Sequence, residues 1–198
     1  MGSKRTAGQK VGLSTKDLLQ ASRRLLADSG GDGFTMRAVA RELGVAPNTL
    51  YSHVESKAAL IDAVLDDLLA AVPSPPPETP SRVGLRQIMI ASYEVLVAHS
   101  SLVPLVVARG GARGAHAWRL GNAMTEFLIS SGLDTVAAED ARHALIVYTI
   151  GSAAYSSAST PPGEPSITST GDRSRSAFES GLDWLLAGIL GGLSISAR

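Results

Sequence analysis

Apolar positions recur along most of this chain at intervals of three and four residues, the period of a helix with one buried face. Leu18, Ala21, Leu25 and Leu26 align behind Ser14, leaving Lys16, Arg23 and Arg24 outside. Leu13, Ser14 and Asp17 have capping-box spacing, so a helix is predicted over 14–29, ended by Gly30-Gly31-Asp32-Gly33. Phe34 restarts the packed chain. Thr35 is positioned to cap a helix to about Leu43, with Ala38, Val39 and Leu43 turned inward. Gly44 leaves that helix, Val45 packs into the turn, and Pro47 opens a short helix over 48–54. Two turns are marginal alone, so Leu43, Val45, Leu50 and Val54 must hold this helix against its neighbours. Ser56 caps the next one. Its Leu60, Val64, Leu68 and Val72 stripe is widened by Ile61, Leu65 and Leu69, enough to face two partners.

Five prolines in PSPPPETP, 73–80, break the helical pattern between this connector and the rest of the chain. Leu85, Ile88, Met89, Ser92 and Leu96 then predict a helix over 81–99. An apolar run at 102–107 contains Pro104 near its start, and a glycine-rich connection follows at 109–115. Leu120, Met124, Phe127 and Leu128 mark a helix over 116–131, with Gly132 at its end. Asp134 caps a long helix to about residue 156, a Ser/Thr/Gly/Pro-rich loop is expected over 157–176, and a last apolar helix over 177–190. No strand alternation or repeat competes. The fold class expected is all-α.

Composition changes this picture little, but charge divides it. The chain of 198 residues has zero formal net charge, yet the first 60 carry nine Lys or Arg against five Asp or Glu. The remainder has nine against thirteen, so a basic head joins an acidic body, as in a nucleic-acid-binding protein with one reading domain. Cysteine is absent, which excludes disulfides and thiolate metal sites. No secretion signal and no uninterrupted apolar run of membrane-spanning length appears, so no membrane partner and a cytoplasmic location are expected.

The two short helices separated by Leu43-Gly44-Val45-Ala46 have the layout of a helix-turn-helix, in which the first helix braces a second that enters the major groove. At the start of that second helix, Asn48 can pair with adenine, Thr49 can serve a base edge or a phosphate, and Pro47 offers apolar contact. Tyr51, His53 and Lys57 supply donors of graded length for phosphate oxygens. Thr35 and Arg37 stand at the start of the bracing helix, where backbone and side-chain donors also face DNA.

The segment FTMRAVARELGVAPNTLYSHVESK, and in particular its LGV-x-x-x-TLY-x-HV-x-x-K arrangement, strongly resembles the DNA-binding head of TetR-family transcriptional repressors over residues 13–69. That resemblance implies phosphate contacts from Thr35, Tyr51, His53 and Lys57, and base reading concentrated at Arg37, Pro47, Asn48 and Thr49. The glutamine common in the family at the place of Pro47 is absent here, which leaves the operator sequence open. The later chain resembles the tetracycline repressor subgroup, best at FESGLDWLLAG, 178–188. In that subgroup the matching helix and the long helix before the loop form a dimeric four-helix bundle. Gly181 and Gly188 would then permit close approach, with Leu182, Leu185 and Leu186 supplying apolar area.

The resemblance also implies a small-molecule pocket within 81–176. The candidate lining residues are Met89, Tyr93, His99, Trp118, Met124, Phe127, His143 and Tyr148, large or mixed side chains suited to an organic ligand. His99, His116 and His143 have no short-spaced carboxylate partners, so neither a metal site nor a cofactor is expected. The expected organisation is a basic arm at 1–12, a DNA-binding domain at 13–57, a connector helix at 58–72 and a regulatory and dimerisation domain at 81–198. The expected function is a homodimeric repressor, released from a pseudo-palindromic double-stranded DNA operator by a small organic effector. The alternatives are a helical dimer or scaffold without DNA function and, less favoured, an enzyme, for which no nucleophile elbow or phosphate loop is present.

Overall fold

Capping and burial explain the head. The computed structural model describes residues 13–158 and 168–191; the basic arm assigned to 1–12 and residues 159–167 of the expected loop lie outside them. Helix α1 is Thr15–Gly33, α2 Met36–Glu42, α3 Pro47–Tyr51 and α4 Lys57–Leu68. Ser14 Oγ accepts the Asp17 amide at 3.1 Å, Thr35 Oγ1 that of Ala38 at 3.1 Å, and Ser56 Oγ that of Ala59 at 3.1 Å. Each satisfies an amide with no intrahelical partner. The five-residue α3 has no side-chain cap and relies on Pro47 at its start and Leu50, which is fully buried. Gly44 leaves α2 at φ +64, a backbone angle that favours glycine.

The expected stop of α1 at Gly30 is corrected: the helix continues through 30–33. Each glycine there costs about 1 kcal/mol against alanine, and packing offsets that cost. Gly31 lies under Leu105, whose Cδ2 would stand 2.7 Å from an added Cβ. Its carbonyl accepts Lys57 Nζ at 3.0 Å, and the chain then buries Phe34 completely.

The connector carries the stripe its spacing predicts: Leu60 and Val64 are fully buried, Leu68 and Val72 nearly so. After Leu68 the helix tightens into a 3-10 turn, Leu69–Ala71, before the proline segment. The body follows with α5 Ser81–Ala98, a 3-10 turn Ser100–Leu102, α6 Val103–Ala108, α7 Ala115–Ser130, α8 Thr135–Ala158 and α9 Thr168–Leu190. Among the described residues every regular element is helical. Helix α5 packs on α7, α8 and α9, while α4 meets α1 on one side and α7 on the other. A single apolar core thus runs from Leu18 in the head to Leu186 in α9.

The last helix starts at Thr168, well before the residue 177 expected, so part of the expected loop is helix. Polar pairs rather than an apolar stripe hold this stretch. Arg175 reaches Glu179 one turn on at 2.9 Å and Glu94 of α5 at 2.6 Å. Arg86 adds bonds to Glu179 at 2.8 Å and Asp183 at 3.2 Å. Among the described residues no single helix is long and apolar enough to cross a membrane; α5 with the segment 100–108 passes only as a pair bent by 90°.

Candidate functional site

The turn between α2 and α3 is closed by the Val45 amide donating to Ala40 O at 3.0 Å, and Val54 closes the far end on Leu50 O at 3.0 Å. Leu43, Val45 and Val54 pack against the core beside Leu50, which fixes α3 on α2. Pro47, Asn48, Tyr51 and His53 consequently stand exposed along α3 and just beyond it, with Thr49 half-buried between them. Thr35 and Arg37 are exposed at the start of α2. Lys57 differs from its neighbours. It is half-buried, its Nζ donates to Gly31 O, and it sits 5.9 Å from the Phe34 ring centroid, at the outer reach of a cation–π contact. An ammonium has three donors, so one bond to Gly31 leaves others for a phosphate.

In the body, α4 to α8 enclose a cavity of about 490 Å³. Its wall includes Leu65, Leu68 and Leu69 of the connector, Ile88, Met89, Ser92 and Leu96 of α5, Met124 and Gly121 of α7, and His143, Ile146, Thr149 and Ile150 of α8. Of the eight pocket candidates, this cavity gathers Met89, Met124 and His143. The others lie elsewhere. Tyr93 stacks on Phe178 at 4.1 Å between centroids and pairs its hydroxyl with Ser156 Oγ at 2.9 Å. Tyr148 lines a separate α8–α9 groove and donates to Phe178 O at 3.0 Å. His99 Nδ1 is bonded to Val95 O at 2.9 Å, and the outer end of the Phe127 ring packs against Gly84. Trp118 points out to solvent, 72% exposed. Among the described residues no three His, Cys, Asp or Glu side chains converge as metal ligands.

The connector is tied to α7 by polar contacts at both ends of that helix's first turns. Buried Asp66 of α4 accepts the amides of His116 at 3.1 Å and Ala117 at 2.8 Å, capping α7. Gly114, at φ +153, lets the chain pass beside this carboxylate, where a Cβ would come within 2.5 Å of it. Arg119 of α7 donates back to Leu69 O at 3.2 Å and Val72 O at 2.9 Å, at the end of the connector. Asp62 pairs with Arg109 from the glycine-rich loop and holds that guanidinium above its ordinary pKa by hydrogen bonding.

On α9, Leu182 and Leu186 are fully buried within the chain, and Leu185 and Gly188 are half-buried. Gly181 gives room to the Tyr148 hydroxyl, so its missing side chain serves contact between α8 and α9. The outward face is made by other residues: Trp184 and Tyr155, each 76% exposed, with Val147, Gly151, Ala177 and Ala187. Trp184 is one helical step from the leucines, and a period read outward instead of inward would have found it. Leu68 belongs to the connector stripe and Leu65 and Leu69 to its second edge, but Ser92 and Thr149 give no signal in sequence that they face a cavity.

Fold and head together define an all-helical protein with a helix-turn-helix reading surface and a cavity-bearing body. Residues 18–64 match the family model of bacterial regulatory proteins, tetR family. The tetracycline repressor protein class D of Escherichia coli is 41% identical over 58 residues, 29% of this chain and 27% of that protein. The chain therefore spans about a quarter of the length of the first curated relatives it matches, with 27% covered. A class A repressor from transposon 1721 of Escherichia coli is 28% identical over 149 residues, covering 70% of this chain and 65% of that protein, so the likeness reaches past the head. The crystal structure of a single-residue variant of TetR from Acinetobacter baumannii AYE, in complex with minocycline, superposes with TM-score 0.71 at 27% identity, covering 89% of this chain and 96% of that one. Residues 18–64 are thus similar to the DNA-binding head of the tetR family, and the fold of the body is similar to that of the Acinetobacter TetR structure.

Proposed function

We propose that this protein is a sequence-specific, cytoplasmic DNA-binding repressor that works as a homodimer and leaves its operator when a small organic effector occupies the body. Two heads related by a twofold axis would read successive major grooves of a pseudo-palindromic site. In each, Arg37, Pro47, Asn48 and Thr49 face bases while Thr35, Tyr51, His53 and Lys57 face phosphates. The α8–α9 face bearing Tyr155 and Trp184 is the surface for the second copy, with Leu185 and Gly188 at its edge. The proposed division into a reading domain at 13–57, a connector at 58–72 and a regulatory body from 81 on is supported by the packing of α4 on α1 and on α7.

One observation carries the control step. Leu65 and Leu68 of α4, with Leu69 of the 3-10 turn that follows it, form part of the cavity wall, and α4 packs its Leu60 and Val64 under the head. A ligand that fills the cavity pushes on the helix that positions α3. Occupancy then shifts the population between head spacings that fit and do not fit two half-sites. The test measures operator affinity with and without compounds that bind the cavity. Release by such a compound supports the reading; equal operator affinity at saturating occupancy contradicts it.

A further inference from the structure

The cavity between α4 and α8 has no Asp, Glu, Lys or Arg in its wall. The charged groups nearest along the connector are already spent: Asp66 on the amides of α7, Asp62 on Arg109, and Arg119 on backbone carbonyls. Arg142, beside Gly121, is held by Thr125 Oγ1 at 3.1 Å. Thr149 faces the cavity but uses its hydroxyl on Leu145 O at 2.9 Å. What remains is the Ser92 hydroxyl, on a side chain 8% exposed and with no side-chain hydrogen bond among the described residues, and the His143 ring on the outer side of α8. Away from the His143 ring and the Arg142 guanidinium beside Gly121, an ion placed next to Ser92 would give up its hydration among apolar side chains with no opposite charge to meet it.

We infer that the effector, taken on the reading above that an effector exists, is an uncharged and largely apolar molecule carrying one buried hydrogen-bonding group directed at Ser92. His143 serves a second polar group at the outer end. Ser92 accepts or donates, so a neutral hydroxyl, carbonyl or amide suits it, whereas a carboxylate, sulfonate or phosphate, though able to accept its O–H, would bring a charge into the apolar wall.

The test uses two fluorescent probes with one skeleton, neutral N-phenyl-1-naphthylamine and its sulfonate, 1-anilinonaphthalene-8-sulfonate, titrated into the full chain. Gly121→Leu fills the cavity from α7, where an added Cβ meets nothing closer than Arg142 Nη1 at 3.7 Å. Binding abolished by this variant is binding in the cavity, as distinct from the α8–α9 groove, where Arg173 could hold an anion. The expected result is saturable binding of the neutral probe, lost by tenfold or more in Gly121→Leu, with the sulfonate weaker by at least about tenfold. Equal or tighter cavity binding of the sulfonate overturns the inference, and so does neutral-probe binding unchanged by Gly121→Leu in a variant whose circular dichroism matches the parent. The comparison of the two probes on the unaltered protein stands even if that variant does not fold. Operator affinity is read in the same titrations. Neutral binding in the cavity without operator release sinks the control reading alone, whereas release by charged compounds through this cavity sinks the ligand class alone.

Discussion

Asp66 of α4 caps α7 through the Ala117 amide, 2.8 Å from its Oδ1, and α7 answers through Arg119, which donates to Leu69 O and Val72 O in the turn that ends the connector. The two helices therefore satisfy each other's terminal groups. Motion of either is passed to the other by directional bonds as well as by packing. Asp66→Ala should lower unfolding free energy by about 1–3 kcal/mol, since two part-buried amides lose their acceptor. Urea denaturation measures this. If the pair also transmits control, operator release in the variant requires more effector than in the parent.

Lys57 joins α4 to the end of α1 through Gly31 while standing beside the reading surface. Lys57→Ala should weaken binding to all DNA sequences alike and reduce the slope of log K against log salt by about 0.9 for the lost phosphate contact. Fluorescence anisotropy over a salt series checks both. A loss confined to one operator would assign Lys57 to base reading.

Arg37, Asn48 and Thr49 are expected to behave differently. Alanine at each should cost about 1–3 kcal/mol on the preferred operator and less on sites altered at the contacted base pair. Binding to a panel of single-base operator variants reveals the change in preference. Uniform loss across the panel would move the residue to the phosphate class.

Helix α9 offers a paired comparison. Trp184→Glu places a charge on the exposed apolar face and should dissociate the dimer while leaving the helical content of each chain intact. Leu182→Ala opens a cavity inside the chain and should cost about 2–5 kcal/mol of folding stability. Sedimentation velocity and thermal melts separate the two. A dimer unaffected by Trp184→Glu would place the twofold interface elsewhere.

Glu179 links α9 to α5. The hydrogen bond from Arg175, aided by Arg86 and opposed by partial burial, holds its pKa below the ordinary glutamate value. A depressed carboxylate stabilises the fold above its unfolded pKa and gives that up as pH falls through the folded value. Glu179→Gln should therefore flatten the acid limb of the stability profile below about pH 4.5. Melting temperatures from pH 7 down to 3 test this.

Much of the head was legible because its signals are local. Gly44 marks the turn, Pro47 the start of α3, and the four-residue spacing from Leu60 to Val72 the connector. The run at 30–33 misled because the contacts that keep it helical come from Leu105 and Lys57, far along the chain. The helical start of α9 was hidden for the same reason, with Glu94 among its supports. In the body, size and chemistry singled out Trp118, Tyr93 and Phe127 as pocket candidates. Only the packing angles of α5, α7 and α8 decide that Trp118 faces solvent, that Tyr93 stacks on Phe178, and that small Ser92 meets the cavity. Periodicity says which face of a helix is apolar, not whether that face meets its own chain, a ligand or a second copy.

The measurement that bears most directly on operator control is selection of bound sequences from a random double-stranded DNA library by the full chain. Binding of the winner is then repeated with the cavity occupied. The expected result is a pseudo-palindrome with half-sites about one helical turn apart, bound by the dimer and released on occupancy. Absence of any enriched sequence, or an enriched site whose affinity is indifferent to a filled cavity, would contradict it.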